Sequence, residues 1–234
     1  MTEPKTNQTK SKQRVADHGE VFTAEREVNA MLDLVKQETE RIESRFLEPA
    51  CGDGNFLSEI LKRKLQVVKC RYSKHYSDYE RYSVYAVTSI YGVELLQDNV
   101  EACRNRLFEI WNKEYTSVCK TNANDECRNA VWFILNHNIL CGDALTMQQD
   151  NGEPIIFAEW SAVNTHLLKR RDFRLDQMLE GYAPEGLQGG LPFEDKEFLD
   201  TKSEWEKDPE TGVWIPLPIR EFSPIHYRRV QEHE

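Results

Sequence analysis

The stretch that decides the fold runs from Arg45 to Leu57 and reads RFLEPACGDGNFL. Its first residues form a short apolar run, which predicts a β-strand, and a helical pattern begins after the second glycine. Gly52 and Gly54 permit a tight turn and a close approach of the backbone to a ligand, because they lack a Cβ atom. The following helix begins with free N–H groups and the positive end of its dipole. The stretch therefore predicts a strand, a ligand-binding turn and a helix. A tight turn with no ligand is the alternative.

Length, charge and cysteine content limit the classes of protein that fit. The 234 residues suffice for one α/β domain with appended segments but are short for two full domains. The formal net charge of −10 argues against a broadly basic surface for nucleic acid, although a local basic groove or a partner subunit remains compatible with it. Six cysteines without a Cys-x-x-Cys pair predict a reduced, cytoplasmic protein without a metal site. The polar N-terminus and the lack of a long apolar run predict neither secretion nor membrane insertion.

Patterning along the chain predicts three parts. Residues 1–16 have the composition of a disordered arm. Residues 17–180 alternate between strand and helix patterns, which predicts an α/β domain with a mainly parallel sheet and helices on both faces. Residues 181–234 form an irregular, Gly/Pro-rich C-terminal extension, in which Trp205–Trp214 has a hairpin-like pattern.

Within the domain, apolar spacing predicts the individual elements. The predicted helices are 24–42, 55–65 and 98–111. The predicted strands are 45–48, 84–94, 132–140 and 155–157. Residues 69–83 show no clear period. Their tyrosines predict either a base-stacking surface or a partly buried helix face, and they are Tyr72, Tyr76, Tyr79 and Tyr82.

The run FLEPACGDGNFL resembles the S-adenosylmethionine loop of amino-methylating DNA methyltransferases, particularly those that act on adenine N6. Upstream, HGEVFT at residues 18–23 resembles the segment that folds over the methionine part of the cofactor, with Ala24 where the family usually has proline. The order of motifs over residues 18–160 resembles the gamma arrangement of adenine-N6 methyltransferases and the order found in the modification subunits of restriction systems. The resemblance implies a Rossmann-like methyltransferase fold, S-adenosyl-L-methionine as cofactor and DNA as a partner.

Two acids follow predicted strands, at the sheet edge where ligands bind. Glu94 ends the second strand, and the resemblance implies that it holds both ribose hydroxyls; a solvated cap is the alternative. Asp143 follows the third strand and is assigned to the adenine amino group, with a helix N-cap as the alternative. The complete set of candidate cofactor-binding residues is Phe22, Thr23, Glu48, Ala50, Gly52, Asp53, Gly54, Phe56, Glu94, Leu95, Asp143 and Ala144.

The fourth strand departs from the family pattern. Those enzymes carry Asn or Asp, two prolines and an aromatic residue there. A side-chain carbonyl and a backbone carbonyl accept hydrogen bonds from the target amine, and the aromatic ring stacks on the flipped base. Residues 156–161 of this chain read IFAEWS, without either proline. Glu159 and Trp160 are therefore the candidate catalytic residues, as amine acceptor or base and as stacking ring. Alternatively, Glu159 pairs with the basic run at 169–171, which is itself a candidate phosphate contact.

These observations lead to two main hypotheses of function. The first is a methyltransferase that modifies adenine N6 in DNA as part of a restriction-modification system. The second is a catalytically degenerate, cofactor-binding subunit that completes or regulates a partner methyltransferase. Methylation of a non-DNA acceptor is a further alternative, because one scaffold serves many acceptors.

Overall fold

The computed structural model describes residues 11, 13–14, 16, 23–180, 205–207 and 214–233. Most of the predicted N-terminal arm and of the Gly/Pro-rich segment lies outside the described residues, as does Phe22. In the described part the chain is a mixed α/β protein. None of the helices in that part is both long and apolar enough to span a bilayer.

The α-helices of the described residues account for most of the regular structure. In chain order they are α1 (Glu25–Asp33), α2 (Lys36–Thr39), α3 (Asn55–Tyr72), α4 (Tyr76–Thr88), α5 (Gln97–Cys119), α6 (Asp125–Asn138) and α7 (Leu175–Glu180). Short 3-10 helices lie between α5 and α6, at Lys120–Asn122, and near the C-terminus, at Tyr227–Glu232. The single helix predicted over residues 24–42 is broken into α1 and α2, and α3 and α5 are both longer than predicted.

The strands of the described residues form three separate sheets. They are β1 (Phe46–Glu48), β2 (Ile90–Glu94), β3 (Ile139–Cys141), β4 (Ile156–Ala162), β5 (Leu167–Arg174), β6 (Trp205–Lys207), β7 (Trp214–Pro216), β8 (Arg220–Glu221) and β9 (Ile225–His226). Strands β6 and β7 pair antiparallel, in agreement with the predicted hairpin. Strands β8 and β9 both pair with β5, so regular structure continues into the C-terminal extension.

The parallel sheet positions the candidate site. Its order is β1-β2-β3, and its register places Glu48 opposite Gly92, and Glu94 opposite Cys141. Because all three strands are parallel, their carboxyl ends lie along one edge, and the loops that follow them meet there. The glycine loop, Glu94 and Asp143 belong to this edge.

The fourth strand does not extend the parallel sheet, contrary to the prediction. Strand β4 is longer than the predicted 155–157 and pairs antiparallel along its length with β5. The reason lies in the connections. A parallel strand beside β3 would need a long crossover, usually a helix, but residues 142–155 between β3 and β4 contain no helix. Residues 163–166 then form a short turn, which makes β5 antiparallel to β4.

Two apolar runs assigned to strands from the sequence are helical. Residues 84–88 complete α4, so that β2 begins only at Ile90. Residues 132–135 lie inside α6, where Asn124 caps the helix by accepting a hydrogen bond from the Cys127 N–H (2.9 Å). Buried side chains recur every three or four residues along α6, as in a helix that packs on one face. Burial therefore outweighed the β propensity of these residues.

The tyrosine-rich segment is helical as well, which supports the interpretation as a helix face. Tyr79 is completely buried, and the rings of Tyr72 and Tyr82 stack on each other with centroids 3.9 Å apart. Tyr76 alone of the four is exposed. These rings stabilise packing between helices and do not form a continuous surface for stacking bases.

The C-terminal 3-10 helix is anchored on α4 by one buried carboxylate. Glu80 accepts hydrogen bonds from the Tyr227 hydroxyl (2.7 Å), the Arg228 Nε (2.6 Å) and the Tyr115 hydroxyl (2.5 Å). A buried charge is tolerated only with such partners. This network joins the last described residues to the core of the domain.

Replacing Gly54 with alanine tests the turn before α3. Gly54 has a φ of +89°, and a Cβ atom there would lie 2.7 Å from Cys103 Sγ. Gly152 is a matched control, since its φ is +82° but its Cβ would meet nothing within 4 Å. We expect Gly152→Ala to lower the free energy of unfolding by about 1–2 kcal/mol, the cost of the left-handed conformation, and Gly54→Ala to lower it by about 3 kcal/mol. Urea denaturation measures both; equal losses would show that close packing at Gly54 is unimportant.

Candidate functional site

The glycine loop joins β1 to α3 and is tied to the neighbouring strand. The Cys51 N–H donates to the Val93 carbonyl (3.0 Å), and the Gly54 N–H donates to the Cys51 carbonyl (2.8 Å). Gly52 has a left-handed φ of 53°, which glycine adopts without steric cost. The predicted strand, turn and helix are confirmed at this point of the chain.

Glu94 fixes the loop from the end of β2. Its buried carboxylate accepts hydrogen bonds from the Gly52 N–H (2.9 Å), the Leu96 N–H (3.1 Å) and the Asn99 side-chain amide (3.3 Å). The carboxylate is therefore not a solvated cap. It joins the glycine loop to the start of α5 and is held in one orientation beside the cavity.

A cavity of about 590 Å³ opens at the carboxyl edge of the parallel sheet. Volumes of this size are usual for small-molecule and cofactor sites. Its lining includes nine candidate cofactor residues: Thr23, Glu48, Ala50, Gly52, Phe56, Glu94, Leu95, Asp143 and Ala144. The structure thus brings together residues that are up to 121 positions apart in the sequence, from Thr23 to Ala144.

Asp143 lies in the loop after β3. Its N–H donates to the Gln148 carbonyl (2.8 Å), and its Oδ1 accepts from the Leu145 N–H (2.8 Å). The second contact is a local cap, but it closes a turn and not a helix. Oδ2 has no hydrogen-bond partner among the described residues and remains an acceptor at the cavity wall.

Glu48 ends β1 at the same edge. Burial raises the pKa of its carboxyl group above the usual range. The described residues offer this carboxylate neither an ion pair nor a hydrogen bond, so its charged form is destabilised within the protein. A positively charged ligand in the cavity would relieve this cost.

Asp53 and Gly54 do not line the cavity, although both belong to the predicted set. The Asp53 carboxylate pairs with Arg106 of α5 (2.8 Å), whose guanidinium also donates to Asn55 Oδ1 (2.6 Å). Asp53 thus holds the loop to α5 from the far side. Gly54 acts through its backbone conformation, at the start of α3.

Sequence reasoning missed several residues of the cavity wall. Asn55 is the first residue of α3, and its side-chain amide donates to the Thr23 carbonyl (3.2 Å), which closes the cavity on the N-terminal side. Asn99 binds Glu94. The sequence could have indicated both residues, because they lie in the first turns of α3 and α5, and helix N-termini face ligands at this edge. The remaining additions are Pro49, Cys51, Leu96, Gly142 and Leu145.

The charge of the cavity limits the ligand it can bind. Its lining contains three acids, Glu48, Glu94 and Asp143, and no lysine, arginine or histidine among the described residues. A glycine loop at a helix N-terminus alone would also suit a phosphate. Three carboxylates without a counter-ion disfavour an anion and favour a cationic ligand with hydroxyl or amino groups. The described residues hold no group of three or more His, Cys, Asp or Glu side chains placed to bind a metal ion.

The two candidate catalytic residues lie away from this cavity. Trp160 is buried, and its indole N–H donates to Asn138 Oδ1 (2.8 Å), so its ring is not available to stack on a base. Glu159 forms ion pairs with Arg45 and with Arg171 (3.0 Å). The ion pair with Arg171 confirms the alternative in which Glu159 pairs with the basic run at 169–171, and the ion pair with Arg45 was not predicted. Glu159 lines a separate, apolar cavity between β1 and β4.

The basic run at residues 169–171 is divided between the two faces of β5. Lys169 pairs with Glu221 (2.5 Å) and Arg171 with Glu159 (3.0 Å). Arg170 points to the opposite face and is buried against Asp172. The run is therefore not a continuous basic surface for nucleic acid.

Comparisons with known proteins add no assignment, because no family model, curated protein or solved structure matches this chain.

Replacing Glu48 with glutamine tests the destabilised carboxylate. A folded-state pKa above the unfolded value means that the folded protein binds more protons, so stability falls as pH rises from the unfolded pKa through the folded one. Glu48→Gln removes this loss. We expect the variant to melt at a higher temperature than the wild-type protein at pH 7, and at the same temperature near pH 4. Thermal denaturation at both pH values measures this; a variant that is less stable at pH 7 would contradict the assignment.

Proposed function

We propose that this chain binds S-adenosyl-L-methionine in the cavity at the carboxyl edge of the parallel sheet and serves methyl transfer. The observation that carries the proposal is the acidic lining, with Glu48, Glu94 and Asp143 beside a glycine loop and no basic side chain among the described lining residues. The cofactor carries a sulfonium and an ammonium group against one carboxylate, so its net charge is positive. An acidic cavity favours such a ligand over a phosphorylated nucleotide.

Three parts of the cofactor have a matching group among the lining residues. Glu94, at the end of β2, would accept hydrogen bonds from the ribose hydroxyls, and the unpaired Oδ2 of Asp143 would accept one from the adenine amino group. The unpaired Glu48 carboxylate suits the ammonium group of the methionine part. The Rossmann-like methyltransferase fold belongs to this proposal, supported by the parallel order β1-β2-β3 and by the resemblance of the loop.

The chemistry would be direct displacement of the methyl group from the sulfonium by a nucleophile. The cofactor supplies the activated methyl group, and the protein supplies alignment, which is the main contribution such a transfer needs. The resemblance to adenine-N6 enzymes makes the amino group of adenine in DNA, within a restriction-modification system, the proposed acceptor. A non-DNA acceptor is the alternative for the same cofactor site.

Calorimetric titration with S-adenosylmethionine tests cofactor binding. We expect Glu94→Gln and Asp143→Asn each to weaken binding about tenfold or more, because each loses a charged hydrogen-bond acceptor. Asp150→Asn is the matched control, since Asp150 is an exposed acid of the same loop that does not line the cavity. Urea denaturation confirms that the variants fold. Equal affinity of all four proteins would contradict the proposed site.

A second candidate function rests on the fourth strand. The chain lacks the two prolines of the catalytic loop, Trp160 is buried, and Glu159 is held by two arginines. The described residues thus supply no convincing site for an acceptor base. We propose on this ground that another chain supplies the acceptor site, so that this protein is the cofactor-binding subunit of a split methyltransferase.

Transfer of radiolabelled methyl groups to DNA separates the two candidates. We expect the purified chain, after its cofactor binding has been verified by calorimetry, to leave unmodified DNA unlabelled. Co-expression with the proposed partner subunit is expected to restore labelling. The calorimetric check excludes a lost cofactor site as the cause of inactivity. Labelling of DNA by the chain alone would refute the split-enzyme candidate and support an independent DNA methyltransferase.

A further inference from the structure

A third cavity lies between β3, α5 and the antiparallel sheet formed by β4, β5 and β8. Its volume is about 390 Å³, large enough for a small ligand. It is distinct from the acidic cavity, since the two share no lining residue. Its walls combine apolar side chains, such as Leu140 and Ile155, with a group of charged ones.

The charge of this third cavity is opposite to that of the acidic cavity. Its described lining holds three arginines, Arg104, Arg170 and Arg220, and a single carboxylate, Asp172. The exposed Asp150 acts electrostatically on the nearby Cys141 thiol but does not line the cavity. A concentration of guanidinium groups is unusual in a chain with a net charge of −10, and a partly enclosed cavity concentrates their field.

One carboxylate is shared by two of the arginines, which leaves an excess of positive charge. Arg170 donates from Nε and Nη2 to the two oxygens of Asp172 (2.7 and 2.9 Å), and its Nη1 donates to the His233 carbonyl (3.1 Å). Arg220 Nη2 lies 3.0 Å from the same Asp172 Oδ2. The buried Arg170–Asp172 pair is thus a structural ion pair, to which Arg220 adds an uncompensated cation.

The two other arginines retain donors for a ligand. Arg104 donates from Nε and Nη2 to the Ile139 carbonyl (3.0 and 2.6 Å), and its Nη1 has no hydrogen-bond partner among the described residues. The Arg220 side chain is 59% exposed and forms no ion pair in the described part of the chain besides the one with Asp172. Arginine forks of this kind recognise the paired oxygens of phosphate and carboxylate groups.

A histidine completes the polar wall. The His137 Nδ1 lies 2.8 Å from the Phe133 carbonyl, and must donate to it. Burial lowers the pKa of His137, as do Arg170 and Arg220, while the hydrogen bond to Phe133 and the Asp172 charge oppose this shift. The neutral ring carries its lone pair on Nε2, which has no partner in the described residues. Nε2 can therefore accept a hydrogen bond from a hydroxyl group in the organic part of a ligand.

We propose that this cavity binds a phosphate monoester, with Arg104 and Arg220 as its direct ligands. Three guanidinium groups against one carboxylate leave two positive charges, which match a phosphate dianion better than a carboxylate. The cavity is larger than inorganic phosphate. Its apolar walls can contact an organic group attached to the phosphate, and the side chains of Gln97 and Gln149 can form hydrogen bonds with that group. The ligand class is therefore a phosphorylated small molecule or the terminal phosphate of a nucleic acid.

Titration with inorganic phosphate and uridine 5′-monophosphate at constant ionic strength tests this site. Uridine serves as the unphosphorylated control, and a pyrimidine avoids binding at a site proposed for an adenosyl group. We expect Arg220→Gln to weaken both phosphate ligands about tenfold or more, because it removes a charged donor. Arg229→Gln is the matched control, since Arg229 is exposed, pairs with Glu232 and lies outside the cavity.

This test of the phosphate site does not depend on whether the chain binds S-adenosylmethionine, because the two cavities share no lining residue. Binding by the wild-type protein that Arg220→Gln weakens and Arg229→Gln preserves supports the site. No binding by the folded wild-type protein, or equal binding by Arg220→Gln, overturns it. Arg104→Gln provides a second variant, with circular dichroism to verify its fold. Preference for a 5′-phosphorylated oligonucleotide over its 5′-hydroxyl form assigns the site to nucleic-acid ends, and binding of the mononucleotide alone assigns it to a free nucleotide.

Discussion

The hydrogen bond from the Gly52 N–H to the Glu94 carboxylate is the contact on which the candidate site depends. It joins the loop after β1 to the end of β2, and through Leu96 and Asn99 the same carboxylate fixes the start of α5. The loop can approach because Gly52 adopts a left-handed φ. One buried acid therefore sets both the shape of the cavity and part of its negative charge.

The protein keeps opposite charges in two separate cavities. At the carboxyl edge of the parallel sheet, Glu48, Glu94 and Asp143 face a cavity without basic lining among the described residues. Between β3 and the antiparallel sheet, Arg104 and Arg220 face another cavity with a single acid. The chain's net charge of −10 does not predict the local charge of either cavity. Ligand preference follows from the local charges, which act at short range in a partly desolvated space.

The sequence predicted the parallel sheet edge but not the rest of the architecture. The loop around Gly52 and the end of β2 were predictable, because glycine turns and strand ends are local features. Residues 84–88 and 132–135 were assigned to strands from their composition, whereas packing within the core makes them helical. The buried Trp160 is hydrogen-bonded to Asn138, a contact between residues distant in sequence that no local pattern shows.

Hydrogen exchange of the protein with and without S-adenosylmethionine tests the central claim most directly, because it locates the ligand without any substitution. The account predicts slower exchange in the three segments that line the acidic cavity, at residues 48–56, 94–99 and 142–145, and unchanged exchange at residues 167–174 of β5. Protection confined to β5, or unchanged exchange throughout at saturating cofactor, would contradict a cofactor site at the carboxyl edge of the parallel sheet.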